Sequence, residues 1–526
     1  LTQNNWFENN NTDVEKYLRH VCDNLPVVKR IIEKYGNISL LDYINNFTVS
    51  PQPALQSRDD LNQAVFQYVK PLLGESTAKR VVNDISRFPV VLTTTHHGID
   101  YFANSVQGNL IYGTAAFTDS AAISSIPVFS GGNVPLNNAT YPRGLLLYAA
   151  SYDSLNEMPL KLPVFPKKNI GTMVSCASPF NIKMIDNLKN RINKIFREKK
   201  ISQNALNIIN TVLDEDYCSQ PVINQDSYSK QSVIINNLLW QRMFSAEIRV
   251  PDLVYIEMEQ IVRVLLQNDL TNPGSLACRV LFDASVRDYL LDMLDGVRGC
   301  WNRKNLVSMV NTGKRLRHET GTVFFWGADE LGRRIPLYIV TDSRGSDFLW
   351  GADDCGNIWK MPYNTDSVMQ GLYEKNIIPS LFTCFLTFSF ARGLVCIGGD
   401  FQGEYLAQMK KAVAGILKKT GDEESSLIVE NVRTDIYQDG MIAFMCPFKE
   451  KFLIPAGTLE IIGSGGITKG DMEKVLNMSV MEAHIAGLFE TFKDAGGHKL
   501  YDFEWKEKIA RDILRLLHEK IVIKYP

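Results

Sequence analysis

Two histidines stand side by side at His96 and His97, and a carboxylate follows at Asp100. The chain has only 7 histidines, so a pair within TTTHHGIDYFANSVQGN is its densest concentration of acid–base chemistry in an apolar setting. Imidazole titrates near neutrality and ligates metals, and a nearby carboxylate either completes a metal site or fixes a tautomer. Three readings follow. In the first, His96, His97 and Asp100 hold a divalent metal that polarises a carbonyl or activates water. In the second there is no metal, one histidine is a general base, and Asp100 orients it. In the third these side chains cap a helix and satisfy buried backbone groups. The metal centre is placed first, with all three residues as catalytic groups.

The spacing His96-x-x-x-Asp100 resembles the active-site signature of acyl-transferring condensation enzymes. That signature continues with glycine where this chain has Tyr101, so no family assignment is drawn from it. Downstream, Gln107 and Asn109 offer neutral amides for orienting a substrate. The segment IPVFSGGNVPLNNATYPRG adds Gly131-Gly132-Asn133, whose backbone N–H groups suit an anion. It also adds Arg143, which suits a bidentate contact to a carboxylate or phosphate. Gln107, Asn109, Asn133 and Arg143 form the expected substrate-binding set.

Other motifs carry less. The loop Gly463–Gly470 precedes a helix, but Thr468 comes before Lys469, so it is not a Walker A loop. An ATP-using enzyme built on it is an alternative. Gly398-Gly399-Asp400 follows a buried run and reads as a close backbone approach in the core. Arg392, flanked by apolar sequence, must be paired, either as an ion pair or as a substrate anchor. Glu257, Glu259 and Asp283 are acids on apolar elements, available as a further ligand or acid. No Gly-x-Ser-x-Gly elbow, His-Glu-x-x-His helix, kinase set or EF-hand loop occurs.

The elements that position these residues follow from hydrophobic period. FPVVLTTT reads as a strand ending at the histidines, and SIPVFSGG, RGLLLYAAS and KLPVFP read as further strands. Helical spacing dominates over the first 88 residues, from Asn181 to Phe244 and at the C-terminus. VYIEMEQIVRVLLQNDL reads as one amphipathic helix, KKTGDEESS as an exposed loop and KFLIPAGTLEIIG as strand. Phe325-Trp326-Gly327-Ala328-Asp329-Glu330 is echoed by Leu349-Trp350-Gly351-Ala352-Asp353-Asp354, each copy followed by a glycine, which predicts two similar hairpins. The expected fold is mixed α/β (α+β or α/β), with two or more domains and helices flanking mixed sheets. The domains are a helical segment 1–88, an α/β region 89–245 with the His/Asp cluster, and an α+β region 246–526 with paired β-hairpins and C-terminal helices.

Over 526 residues, 45% are hydrophobic and 22% charged, which excludes a disordered chain. Lys and Arg number 56 against 58 Asp and Glu, so no basic excess points to nucleic acid. Ile377–Gly399 is interrupted by Pro379 and Arg392 and is too short in its uncharged part to span a membrane. The 9 cysteines include no Cys-x-x-Cys pair, which fits reduced thiols in the cytoplasm. The expectation is therefore a cytoplasmic enzyme performing hydrolysis or group transfer at a carbonyl-like centre of a small polar metabolite. The partner is a small-molecule substrate, with no nucleic acid and no membrane. The alternatives are a metal-free transferase with a histidine base, the ATP-using enzyme, or a non-catalytic scaffold with structural histidines.

Overall fold

The short β-branched runs become strands where glycine and proline punctuate them. In chain order these are β1 (Val90–Leu92), β2 (Ser125–Ser130), β3 (Gly144–Leu147), β4 (Leu160–Pro163), β5 (Asp252–Glu257), β6 (Phe325–Ala328) and β7 (Arg334–Thr341). They continue as β8 (Asp347–Ala352), β9 (Ile358–Pro362), β10 (Ile377–Pro379), β11 (Val395–Ile397), β12 (Phe444–Phe448), β13 (Phe452–Pro455) and β14 (Val522–Ile523). The computed structural model describes residues 12–47, 51–93, 96–114, 123–138, 140–314, 320–499 and 504–524. With 53% helix and 16% strand, the chain is mixed α/β.

The organising element is a 4-stranded parallel sheet in the order β11-β1-β2-β5. Alternate residues of a strand face opposite sides. Val90, Leu92, Ile126, Val128, Leu253, Tyr255, Val395 and Ile397 enter one hydrophobic core, while Val91, Phe129, Val254, Ile256 and Cys396 enter a second. Strands apolar on both faces are what a parallel sheet covered by helices requires. Helices Asp13–Asn24, Pro26–Tyr35, Tyr228–Arg242 and Trp505–Leu517 contribute to the first core. Asp59–Arg87 and Met258–Asp269 contribute to the second.

This arrangement corrects the expected division of the chain. The sheet crosses the boundary drawn at 245/246, because β5 pairs with β2 and β11 with β1. The helical segment 1–88 is not one body either: residues 14–47 and 61–85 contribute to different cores. Two further sequence readings change. LVYIE is strand, not helix, since its residues alternate between the two cores, and the helix starts only at Met258. TLEIIG is helix, started by Gly457, with the Glu460 side chain accepting the Gly457 N–H at 3.0 Å. The segment read as the loop KKTGDEESS contains the start of helix Glu423–Glu430, capped by Asp422.

The hairpins form as the echo suggests, within a sheet ordered β10-β6-β7-β8-β9. In each turn an aspartate accepts two backbone N–H groups, Asp329 from Leu331 and Arg333, Asp353 from Cys355 and Asn357. Gly332 and Gly356 close the turns at φ +67° and +85°, the left-handed region that glycine enters freely. Within Ile377–Gly399, β10 leads into short helical turns and then β11. No helix among the described residues is long and apolar enough to cross a membrane.

Candidate functional site

All four central strands deliver their carboxyl ends to one cavity of about 920 Å³. Thr93 and His96 follow β1, Gly131 and Asn133 follow β2, Met258 follows β5, and Gly399 and Asp400 follow β11; all of them line it. Successive strands β2 and β5 lie to one side of β1 and β11 to the other, so the sheet reverses its direction of growth between β1 and β11. Open parallel sheets bind ligands in the crevice outside the carboxyl ends at such a reversal. Gln402 ties the two strands together there, donating to the Thr93 hydroxyl at 2.6 Å and to the Cys396 carbonyl at 3.2 Å. The far wall comes from the C-terminal helices, with Glu490, Asp494, Trp505 and Lys506.

His96 is the one member of the expected triad that lines this cavity. Thr140 Oγ1 donates to Asn138 at 2.7 Å and therefore accepts from His96 Nδ1 at 3.2 Å, leaving Nε2 as the lone-pair nitrogen. The half-buried ring sits in a packed wall, and burial pulls its pKa down to about 4, so the imidazole is neutral at neutral pH.

His97 points elsewhere. It is fully buried, with Nδ1 2.7 Å from Ser130 Oγ and Nε2 2.9 Å from Ser229 Oγ. The Ser229 hydroxyl is in turn bonded to Glu257. Burial lowers the His97 pKa, and the network holds a neutral ring that ties β2 to helix Tyr228–Arg242. Asp100 accepts Ser105 Oγ, Tyr255 Oη at 2.5 Å and Phe102 N at 3.0 Å, just ahead of helix Ala103–Thr114. Burial raises its pKa against those hydrogen bonds. With Asn109 it borders a separate void of about 10 Å³, room for about one water. The expected metal centre of His96, His97 and Asp100 is therefore not assembled. Among the described residues no three His, Cys, Asp or Glu side chains are grouped to hold a metal ion.

The substrate-binding set divides the same way. Asn133 lines the cavity, its amide donating to the Pro379 carbonyl at 3.2 Å. Gln107 is fully buried and clamps backbone, donating to the Phe444 and Ala456 carbonyls and accepting the Ala443 and Phe444 N–H groups. Asn109 donates to Tyr255 Oη at 2.9 Å. Arg143 is buried beside Tyr141, away from the cavity wall. The double-glycine turn does cradle a carboxyl group, but it is the protein's own Glu259, which accepts Gly132 N at 2.7 Å and Asn133 N at 3.1 Å. Burial, then the Glu257 charge, push the Glu259 carboxyl up to about 8.

Two residues that sequence reasoning missed are Asp400 and Asp494. Asp400 belongs to the glycine turn read as core packing; that turn lies at the strand reversal and faces the cavity. Asp494 is the last residue of helix Leu488–Asp494 and looks like an ordinary surface charge. The residue is exposed where it lines the cavity, yet crowding by surrounding protein, with the Asp400 and Glu490 charges, pushes its carboxyl up to about 7. No local signal identifies it. The Gly463–Gly470 loop is already satisfied: Asp471 accepts the Thr468 N–H at 2.8 Å and pairs with Lys524. The chain matches no family model, no curated protein and no solved structure.

Proposed function

We propose that the protein is an enzyme acting on a small polar metabolite bound in the cavity at the carboxyl ends of the central sheet. The observation that carries this reading is the convergence of four strand ends on one space of about 920 Å³, within the size range of small-ligand sites. Its chemistry is acid–base, fitting hydrolysis or group transfer at a carbonyl-like centre. His96 Nε2 accepts a hydrogen bond or proton from the reacting group, and Asn133 orients the substrate. Asp494, with a pKa of about 7, carries a proton in either direction near neutrality. The 9 unpaired cysteines support a reducing, cytoplasmic setting.

The test is incubation of the purified full chain with a metabolite extract, followed by mass spectrometry and thermal shift. One or a few polar compounds should be consumed or protect the protein, and both effects should weaken in folded His96→Ala and Asn133→Ala variants. Protection without consumption would favour a binding protein. No protection by any compound would remove the small-molecule reading.

A further inference from the structure

We propose that the Asp400 end of this cavity is a subsite for an organic cation, so that the molecule bound there carries a primary ammonium or guanidinium group. The inference rests on the small-molecule reading above and adds the chemical class.

Asp400 opens the long helix Asp400–Lys419 directly after β11 and is only 8% exposed. Its Oδ1 accepts the Phe401 N–H at 2.8 Å, while its Oδ2 is covered by protein and has no hydrogen-bond partner, so a cation meets it only if the side chain turns toward the cavity that the residue lines. A buried carboxylate oxygen without a donor is costly, and such groups are rare in folded proteins. Asp494 and Glu490 line the same cavity from helix Leu488–Asp494, and the Asp400 charge acts on Asp494. A guanidinium is at hand in Arg298, but it lies over the Phe401 ring at 3.3 Å and leaves Asp400 Oδ2 unbonded.

The acceptors suit an organic cation better than a metal. A metal needs several ligands converging at about 2.0–2.6 Å, and no such group of three exists among the described residues. An ammonium distributes up to three N–H donors over acceptors at about 2.7–2.9 Å, and a guanidinium spreads five. Tyr405, on the same wall, adds aromatic surface on which such cations rest, while Arg298 already covers a face of Phe401.

The subsite should also respond to pH. The charges acting on Asp494 are Asp400 and Glu490, opposed by Lys493 and Arg298; burial raises the Asp400 pKa, with Glu404 adding to it and the Phe401 N–H and Arg298 opposing it. Because Asp494 ionises around pH 7, cation binding strengthens as pH rises through neutrality.

The experiment is titration calorimetry of the full chain with agmatine and 1,4-diaminobutane, against butyrate and 1-butanol, in metal-free buffer. At least one dication should bind, at least tenfold more weakly to Asp400→Asn and more tightly at pH 8 than at pH 6, with butyrate silent. If Asp400→Asn fails to fold, Asp494→Asn reads out the same loss. Equal binding to folded variants of both positions would overturn the proposal. So would Mg²⁺ or Mn²⁺ binding that depends on Asp400 and excludes the amines. Binding of butyrate or butanol but not the amines would sink the cation subsite and leave the small-molecule reading standing. Silence from every probe, together with no protection by the metabolite extract, would end both.

Discussion

At the scale of single residues, position within the wall decides role more than residue type does. His96 and His97 are neighbours of one chemistry, yet one borders the cavity and the other is locked between Ser130 and Ser229. Replacing His97 by alanine strands buried hydroxyls and leaves a hole, so a loss of about 2–3 kcal/mol is expected. His96→Ala should cost less than about 1 kcal/mol while weakening any cavity ligand, and chemical denaturation of both variants checks this. Glu259 gives a pH signature. Its folded carboxyl sits near 8 against an ordinary 4.5, so the folded state holds a proton that the unfolded chain releases. Its contribution is fully present below about pH 4.5 and is lost as pH rises through about 8. Glu259→Gln should flatten stability between those limits and exceed the parent at pH 8–9, although it serves the Asn133 N–H less well. A slope unchanged from the parent would assign the pH response to other groups.

Among the elements, the clearest dependence is the junction around Arg392. All five of its N–H donors are used: Nε and one Nη2 bond go to Asp60, Nη1 and Nη2 reach Asp269, and Nη1 also meets the Thr387 carbonyl. This resolves the choice between ion pair and substrate anchor, since the residue is fully buried in a clamp joining helices Asp59–Arg87 and Met258–Asp269 to the turn before β11. Arg392→Met leaves two carboxylates unpaired and should destabilise by about 3–5 kcal/mol. Adding Asp60→Asn and Asp269→Asn should recover part of that, measured by thermal or urea unfolding. A single variant as stable as the parent would show that the clamp contributes nothing net.

For the whole molecule, the central sheet is a wall with a hydrophobic core on each side, and neither core is built from a continuous stretch of chain. Separately expressed 1–245 and 246–526 fragments should therefore lack cooperative unfolding, because each loses strands of the same sheet. Co-expression should restore a near-ultraviolet circular dichroism signal absent from either piece. Two independently folding fragments would return the boundary to 245/246.

What was readable in the chain is local. Strand ends at Thr93 and Gly131, the Asp-x-x-Gly hairpin turns and most helices follow from side-chain period and turn chemistry between near neighbours, which need no partner from far away. The site was not readable, because a side chain's surroundings are supplied by residues hundreds of positions distant. Glu259 fills the double-glycine cradle from 127 residues away, and Gln107 spends its amide on backbone 337 residues on. Asp494 acquires its cavity and its unusual proton affinity only when the C-terminal helices close over the carboxyl ends of the sheet. Sequence order sets which groups exist and how they alternate; burial and the company of distant charges are created by packing, and they decide which of those groups can react.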